Sequence, residues 1–137
     1  MKMALVHDMA ESLVGDITPA DPIKKTEKAR REAAVMEYIA GTLLRGVPSG
    51  MLAGDDILAV FNEYEANETL EAQFVHDVDK MELLLQMVEY ERSGEVDLAE
   101  FLNVSKKIYL PEIQEWAATV LKEREALWKT RTSQSTN

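Results

Sequence analysis

Residues 68–91, ETLEAQFVHDVDKMELLLQMVEYE, form the longest uninterrupted helical signal in the chain. Phe74, Val78, Met81, Leu85 and Val88 recur at spacings of four, three, four and three, which predicts one buried stripe along a helix. Ser93 and Gly94 break it. Outward from this segment, strand-like alternation is nearly absent and helix signals dominate. A first helix is expected over Lys2 to Val14, with Gly15 placed to end it. Pro19 and Pro22 forbid regular helix in the loop that follows. A second helix is expected over Thr26 to Leu44, with Thr26 as its cap and Ala33, Met36, Tyr38 and Ile39 facing inward. A third covers Asp55 to Ala66 with Ile57, Leu58, Val60 and Phe61, and a short one covers Leu98 to Lys106. Pro111 opens the last, in which Ile113, Trp116, Val120 and Leu127 face inward. The expectation is an all-α helical bundle, one domain over residues 1–130 and a disordered tail over 131–137.

The bulk composition narrows the function. A length of 137 residues with 46% hydrophobic and 29% charged side chains suits a soluble globular chain with a core. Fifteen basic against 25 acidic residues give a net charge of -10, which argues against a polynucleotide partner held through a basic face. A small phosphorylated substrate stays open, because a bound divalent cation inverts the local field. Cysteine is absent, so disulfides and thiolate metal sites are excluded. No apolar run is long enough for a membrane span, and the first residues do not read as a signal peptide. These features point to the cytoplasm, with the nucleus as a second compartment.

The chemistry concentrates in ALVHDMAESLVGDITPAD, residues 4–21, where His7, Asp8, Glu11 and Asp16 crowd together. At about 100° per helical residue, Glu11 falls about 40° and Asp8 about 100° from His7, beside an apolar arc of Val6, Ala10, Leu13 and Val14. Polar groups on such a border are costly to bury unless paired or bound to a cation. Mixed nitrogen and oxygen donors suit Mn, Fe, Co, Zn or Mg. A second dipeptide, His76-Asp77, lacks a following carboxylate loop and reads as a solvated helix face.

Two blocks carry a family resemblance. ALVHDMAESLVGDITPAD with EKARRE shortly after, and NEYEANETLEAQFVHDVDKMELLLQMVEYE, together resemble the HD-domain phosphohydrolases. More narrowly, they resemble the YfbR-like 5′-deoxynucleotidases and their eukaryotic relatives. The resemblance implies a metal-dependent phosphomonoesterase acting on deoxyribonucleoside 5′-monophosphates. It implies His7, Asp8 and Asp79 as ligands of one divalent cation (Mn, Co, Mg, Fe or Zn). Glu11 and Asp16 match further acidic positions with two roles that do not exclude each other: handling protons and, with the carbonyl of Ile17, holding a second hard cation. Asp16, Tyr64, Glu65, Ala66 and Asn67 match positions that approach the substrate. A homodimer is also implied. The family pattern has an isolated His ligand and a phosphate-orienting Arg ahead of the His-Asp pair, and this sequence has no counterpart for either. The expectation is therefore an HD domain lacking its first helices. Two other function classes fit the same residues: a non-catalytic helical interaction module, and an HD hydrolase of another phosphate ester.

Overall fold

In a computed structural model of the chain, which describes residues 1–18, 21–94 and 96–134, every regular element is helical. In order they are α1 (Lys2–Val6), α2 (Glu11–Val14), α3 (Lys25–Tyr38), a π-helical turn (Ile39–Leu43), a 3-10 turn (Leu44–Gly46), α4 (Gly50–Ala66), α5 (Leu70–Ser93), a 3-10 segment (Ala99–Lys107) and α6 (Pro111–Gln134). The all-α expectation holds. Among the described residues no helix is long and apolar enough to cross a membrane. The chain divides into two compact units, Met1–Ala72 and Gln73–Asn137.

The first unit is built on Val6, Ala10, Met36, Ile39 and Phe61, with Val35, Leu44, Ile57 and Leu58 packed against them. The expected single helix over Lys2 to Val14 is instead two short helices joined at the His-Asp pair. There the bonding tightens to three-residue spacing: Met9 N donates to Val6 O at 3.0 Å, and Glu11 N to Asp8 O at 3.0 Å. Gly15 ends α2 at φ 84°, as its freedom at positive φ predicts. Thr26 lies inside the first turn of α3, and Lys24 occupies the cap position without a side-chain bond. Tyr38, expected inward, is exposed. Helix α4 starts at Gly50, before the expected Asp55, and Gly54 lets it lie against the π turn. A Cβ at Gly54 would stand 2.6 Å from the carbonyl oxygen of Ala40.

The second unit packs Met81, Leu84, Met87 and Val88 of α5 against Ile108, Ile113, Ala117 and Val120. The face of α5 differs from the expected one. Phe74, Val78 and Leu85 are exposed, whereas Asp77 and Glu91 are buried with Met81, Leu84 and Val88. The period is right and the phase is shifted, because the buried face includes two carboxylates, Asp77 and Glu91, that have partners in their unit. On α6, Trp116 is likewise exposed and Ala117 takes the core position beside it. Helix α6 continues to Gln134, past the expected start of the tail at 131. Hydroxyls of Thr130 and Thr132 bond back to the carbonyls of Ala126 (3.0 Å) and Trp128 (2.9 Å). Residues 135–137 lie outside the described set.

Candidate metal centre

His7 sits in the tightened turn after α1, its side chain 14% exposed. Its Nδ1 lies 3.0 Å from the carbonyl oxygen of Ala4, and since a carbonyl only accepts, Nδ1 carries the proton. Nε2 then faces Oδ2 of Asp8 at 3.0 Å. In a neutral ring this aims a lone pair at a carboxylate, which is unfavourable unless a proton or a cation lies between them. Two donors bound at right angles to one cation, each at about 2.1 Å, stand about 3.0 Å apart. The pair thus has the bite of two adjacent ligands. The Tyr64 ring, buried on α4, meets the imidazole edge-on at 5.2 Å and 67° and forms one wall of this corner.

Behind the pair lies an acidic cluster. Lys28 on α3 reaches into it, with Nζ donating to the Ile17 carbonyl at 3.1 Å and to Glu11 Oε1 at 3.4 Å. Glu32 Oε1, one turn along α3, is 3.5 Å from the same ammonium. Burial pushes the Glu11 carboxyl above its ordinary value, and Asp8 and Asp16 add to the rise against Lys28. Burial likewise raises Glu32; Lys28 opposes the rise, while Glu65 and Asp8 reinforce it. The Lys28 ammonium is itself raised, since Glu32 and Glu11 outweigh the burial that pushes it down. Two carboxyls of raised pKa thus share one ammonium.

The first unit therefore gathers His7, Asp8, Glu11, Asp16, Ile17 and Tyr64, with Asp16 exposed on the loop. Glu65 and Ala66 are exposed at the end of α4. Asn67 closes that helix at φ 52°, its amide donating to the carbonyl oxygens of Glu63 (3.2 Å) and Tyr64 (3.1 Å), a left-handed position that Asn tolerates. Asp79 belongs to the second unit and is exposed on α5. Among the described residues no group of three or more His, Cys, Asp or Glu is poised to hold a metal. Lys28 and Glu32 stand in the EKARRE motif, but the sequence analysis gave neither a role; their four-residue spacing on a helix next to the acidic loop is the signal that could have assigned one.

His76-Asp77 also departs from expectation. Asp77 is 1% exposed, not solvated. Its Oδ2 accepts from the amides of Tyr109 (2.8 Å) and Leu110 (2.7 Å), just ahead of α6, and its Oδ1 from Lys80 (3.0 Å). It is a structural carboxylate.

Comparison with known proteins bears on the same residues. A family model described as HD domain matches residues 1–117. The 5′-deoxynucleotidase hdd1 of Schizosaccharomyces pombe is 46% identical over 131 residues, covering 93% of this chain and 65% of that protein. The 5′-deoxynucleotidase YGK1 of Saccharomyces cerevisiae is 42% identical, covering 93% and 60%. The 5′-deoxynucleotidase HDDC2 of Xenopus laevis is 40% identical, covering 90% and 60%. A solved structure of the HD domain-containing protein YGK1 superposes with a TM-score of 0.71 at 35% identity, covering 93% of this chain and 64% of that one. The chain thus spans about three-fifths of the length of these relatives.

Proposed function

This chain belongs to the HD-domain family, and on that premise we propose that it is a metal-dependent phosphomonoesterase hydrolysing deoxyribonucleoside 5′-monophosphates. The observation that carries the proposal is the 3.0 Å approach of His7 Nε2 to Asp8 Oδ2, with the Ala4 carbonyl fixing the other ring nitrogen. The relatives named 5′-deoxynucleotidases support the substrate class.

In this reading His7 and Asp8 hold a divalent cation, with Asp79 as the further ligand that the family resemblance implies; Mn, Co, Mg, Fe and Zn all suit such donors. The cation supplies Lewis acidity toward a phosphoryl oxygen and acidifies a water. The Ala4 carbonyl holds the imidazole in the tautomer that frees Nε2. Glu11, whose carboxyl is raised by burial and by Asp8 and Asp16, takes a proton from the attacking water. The new O–P bond forms as the bond from phosphorus to the 5′ oxygen breaks, and the proton taken up by Glu11 passes by way of Asp16 to that oxygen. Compatible with this, Glu11, Asp16 and the Ile17 carbonyl hold a second, hard cation such as Mg. Tyr64, Glu65, Ala66 and Asn67 form the side that meets the nucleoside. A homodimer and a cytoplasmic setting belong to the same proposal.

Phosphate release from dAMP, dGMP, dCMP, TMP and AMP, measured with Mn²⁺, Co²⁺ or Mg²⁺ beside direct cation binding, tests it. Release from the deoxynucleotides is expected, and Asp79→Ala is expected to abolish both binding and turnover. Turnover retained by Asp79→Ala overturns the ligand assignment. Neither turnover nor cation binding by the wild type would leave a non-catalytic helical module as the better account.

A further inference from the structure

Two of the three oxygen groups assigned above to a second cation already face a positive charge. The Ile17 carbonyl and the Glu11 carboxylate are 3.1 Å and 3.4 Å from the Lys28 ammonium, and the third acceptor around it is Glu32, at 3.5 Å. All of these groups belong to the first unit, and Glu11 and Glu32 are partly or mostly withdrawn from solvent, with side chains 23% and 11% exposed. Lys28 and Glu32 are four residues apart on α3, so one helix carries both a tethered cation and an anchor for it.

An ammonium and a hard divalent cation seek the same oxygens at different distances. Nitrogen keeps about 2.8 Å or more from each oxygen, whereas Mg²⁺ draws them in to about 2.1 Å. The two cannot occupy the cage together, and their mutual repulsion at such range is large.

We propose that Lys28 is a built-in competitor for the second cation. Without that cation its ammonium closes the cage made by Glu11, Ile17 and Glu32 and holds the loop after Gly15 on α3. A divalent cation reaches Glu11 and the Ile17 carbonyl only by turning the ammonium away from these two, toward Glu32 and solvent. Lys28 thereby sets the affinity of this position and keeps Ile17 tied to α3 when the cation is scarce. The inference rests on the reading of Glu11, Asp16 and Ile17 as cation ligands.

Titration calorimetry with Mg²⁺ alone, on the wild-type chain and on Lys28→Met, tests it. Met keeps the aliphatic stem and removes the charge. The variant is expected to bind Mg²⁺ at least about tenfold more tightly, a factor well within the repulsion of two charges this close. Equal or weaker binding by the variant, with Mg²⁺ bound by the wild type, overturns the competitor and leaves the ligand reading standing. Mg²⁺ binding by neither protein overturns both. Should circular dichroism show that Lys28→Met is unfolded, acetylation of the wild type by an active ester decides. The fraction of Lys28 modified, read by peptide mass spectrometry, is expected to rise several-fold on adding Mg²⁺ while the exposed Lys24 and Lys25 stay unchanged. No rise at Lys28 overturns the proposal.

Discussion

Glu91 in the second unit and Glu32 in the first are both buried glutamates on long helices, at 0% and 8% exposure. Their surroundings could hardly differ more. Glu91 takes two bonds from Arg124 at 2.8 Å each, one from the Trp128 indole at 3.0 Å and one from the Leu98 amide at 2.8 Å. Burial pushes its carboxyl up, yet these donors together hold it below the ordinary value. Glu32 shares a single ammonium with Glu11 at longer range, and burial leaves both carboxyls raised. The lesson is that burial alone does not distinguish a structural carboxylate from a chemical one. Compensation does: a scaffold group such as Glu91 has donors on both oxygens, whereas Glu32 and Glu11 share one ammonium, which is what the proton- or cation-handling role proposed above requires.

The largest effect should come from breaking the saturated side of this contrast. Glu91→Ala leaves Arg124, whose side chain is 13% exposed, without its main partner and strands the Trp128 and Leu98 donors. Removing one member of a buried, hydrogen-bonded pair costs about 3–5 kcal/mol. Urea denaturation followed by circular dichroism measures it. A loss below about 1 kcal/mol would mean that the network contributes packing rather than a clamp.

A middling effect separates the two units by pH. A carboxyl held low in the folded chain, as in Glu91, adds stability that is present above the unfolded value near 4.5 and is lost as pH falls through its folded pKa. A carboxyl held high, as in Glu32, does the reverse. Its cost is absent in acid and sets in as pH rises from about 4.5 to its folded pKa. Glu32→Gln mimics the protonated group and escapes that cost. Measured by denaturation at a series of pH values, this variant should therefore gain on the wild type as pH rises across that window. A stability difference that stays flat, or moves the other way, would show that Lys28 compensates Glu32 as fully as Arg124 compensates Glu91.

The same contrast explains what the sequence revealed and what it hid. The 3.6-residue period of α5 was legible, but its phase was not. Residues 74, 78, 81, 85 and 88 and residues 77, 81, 84, 88 and 91 share one spacing, and apolar side chains such as Val75, Leu83 and Met87 fill the helix nearly all round. Hydrophobicity favours the first set, whereas the buried face follows the second because Asp77 and Glu91 have partners elsewhere in their unit. Such partners lie 32 and 33 residues away, beyond any local pattern. A faint clue existed at Asp77: the residues before Pro111, Ile108-Tyr109-Leu110, include no side chain able to cap α6, so its cap had to come from another element. At the candidate site, His7, Asp8, Glu11 and Asp16 were legible because they are close in sequence. Lys28 and Glu32 were visible only as part of the EKARRE motif and without a role, since their role depends on α3 meeting Ile17 and Glu11.

The smallest effect tests whether pairing without burial matters. Glu27 accepts from Arg30 at 2.8 and 2.9 Å and from Arg31 at 2.8 Å, and these bonds lower its carboxyl to about 2. By bond count it rivals Glu91. Its side chain, however, is 36% exposed, and those of Arg30 and Arg31 more so, so water and salt can replace every partner. Glu27→Gln should leave the denaturation midpoint of the chain unchanged within error, both at neutral pH and at pH 3, in low and in high salt. A clear loss at low salt that vanishes at high salt would assign α3 a real electrostatic contribution from its first turn. It would also weaken the rule drawn from Glu91 and Glu32, because saturation alone, without withdrawal from water, would then be enough to make a carboxylate structural.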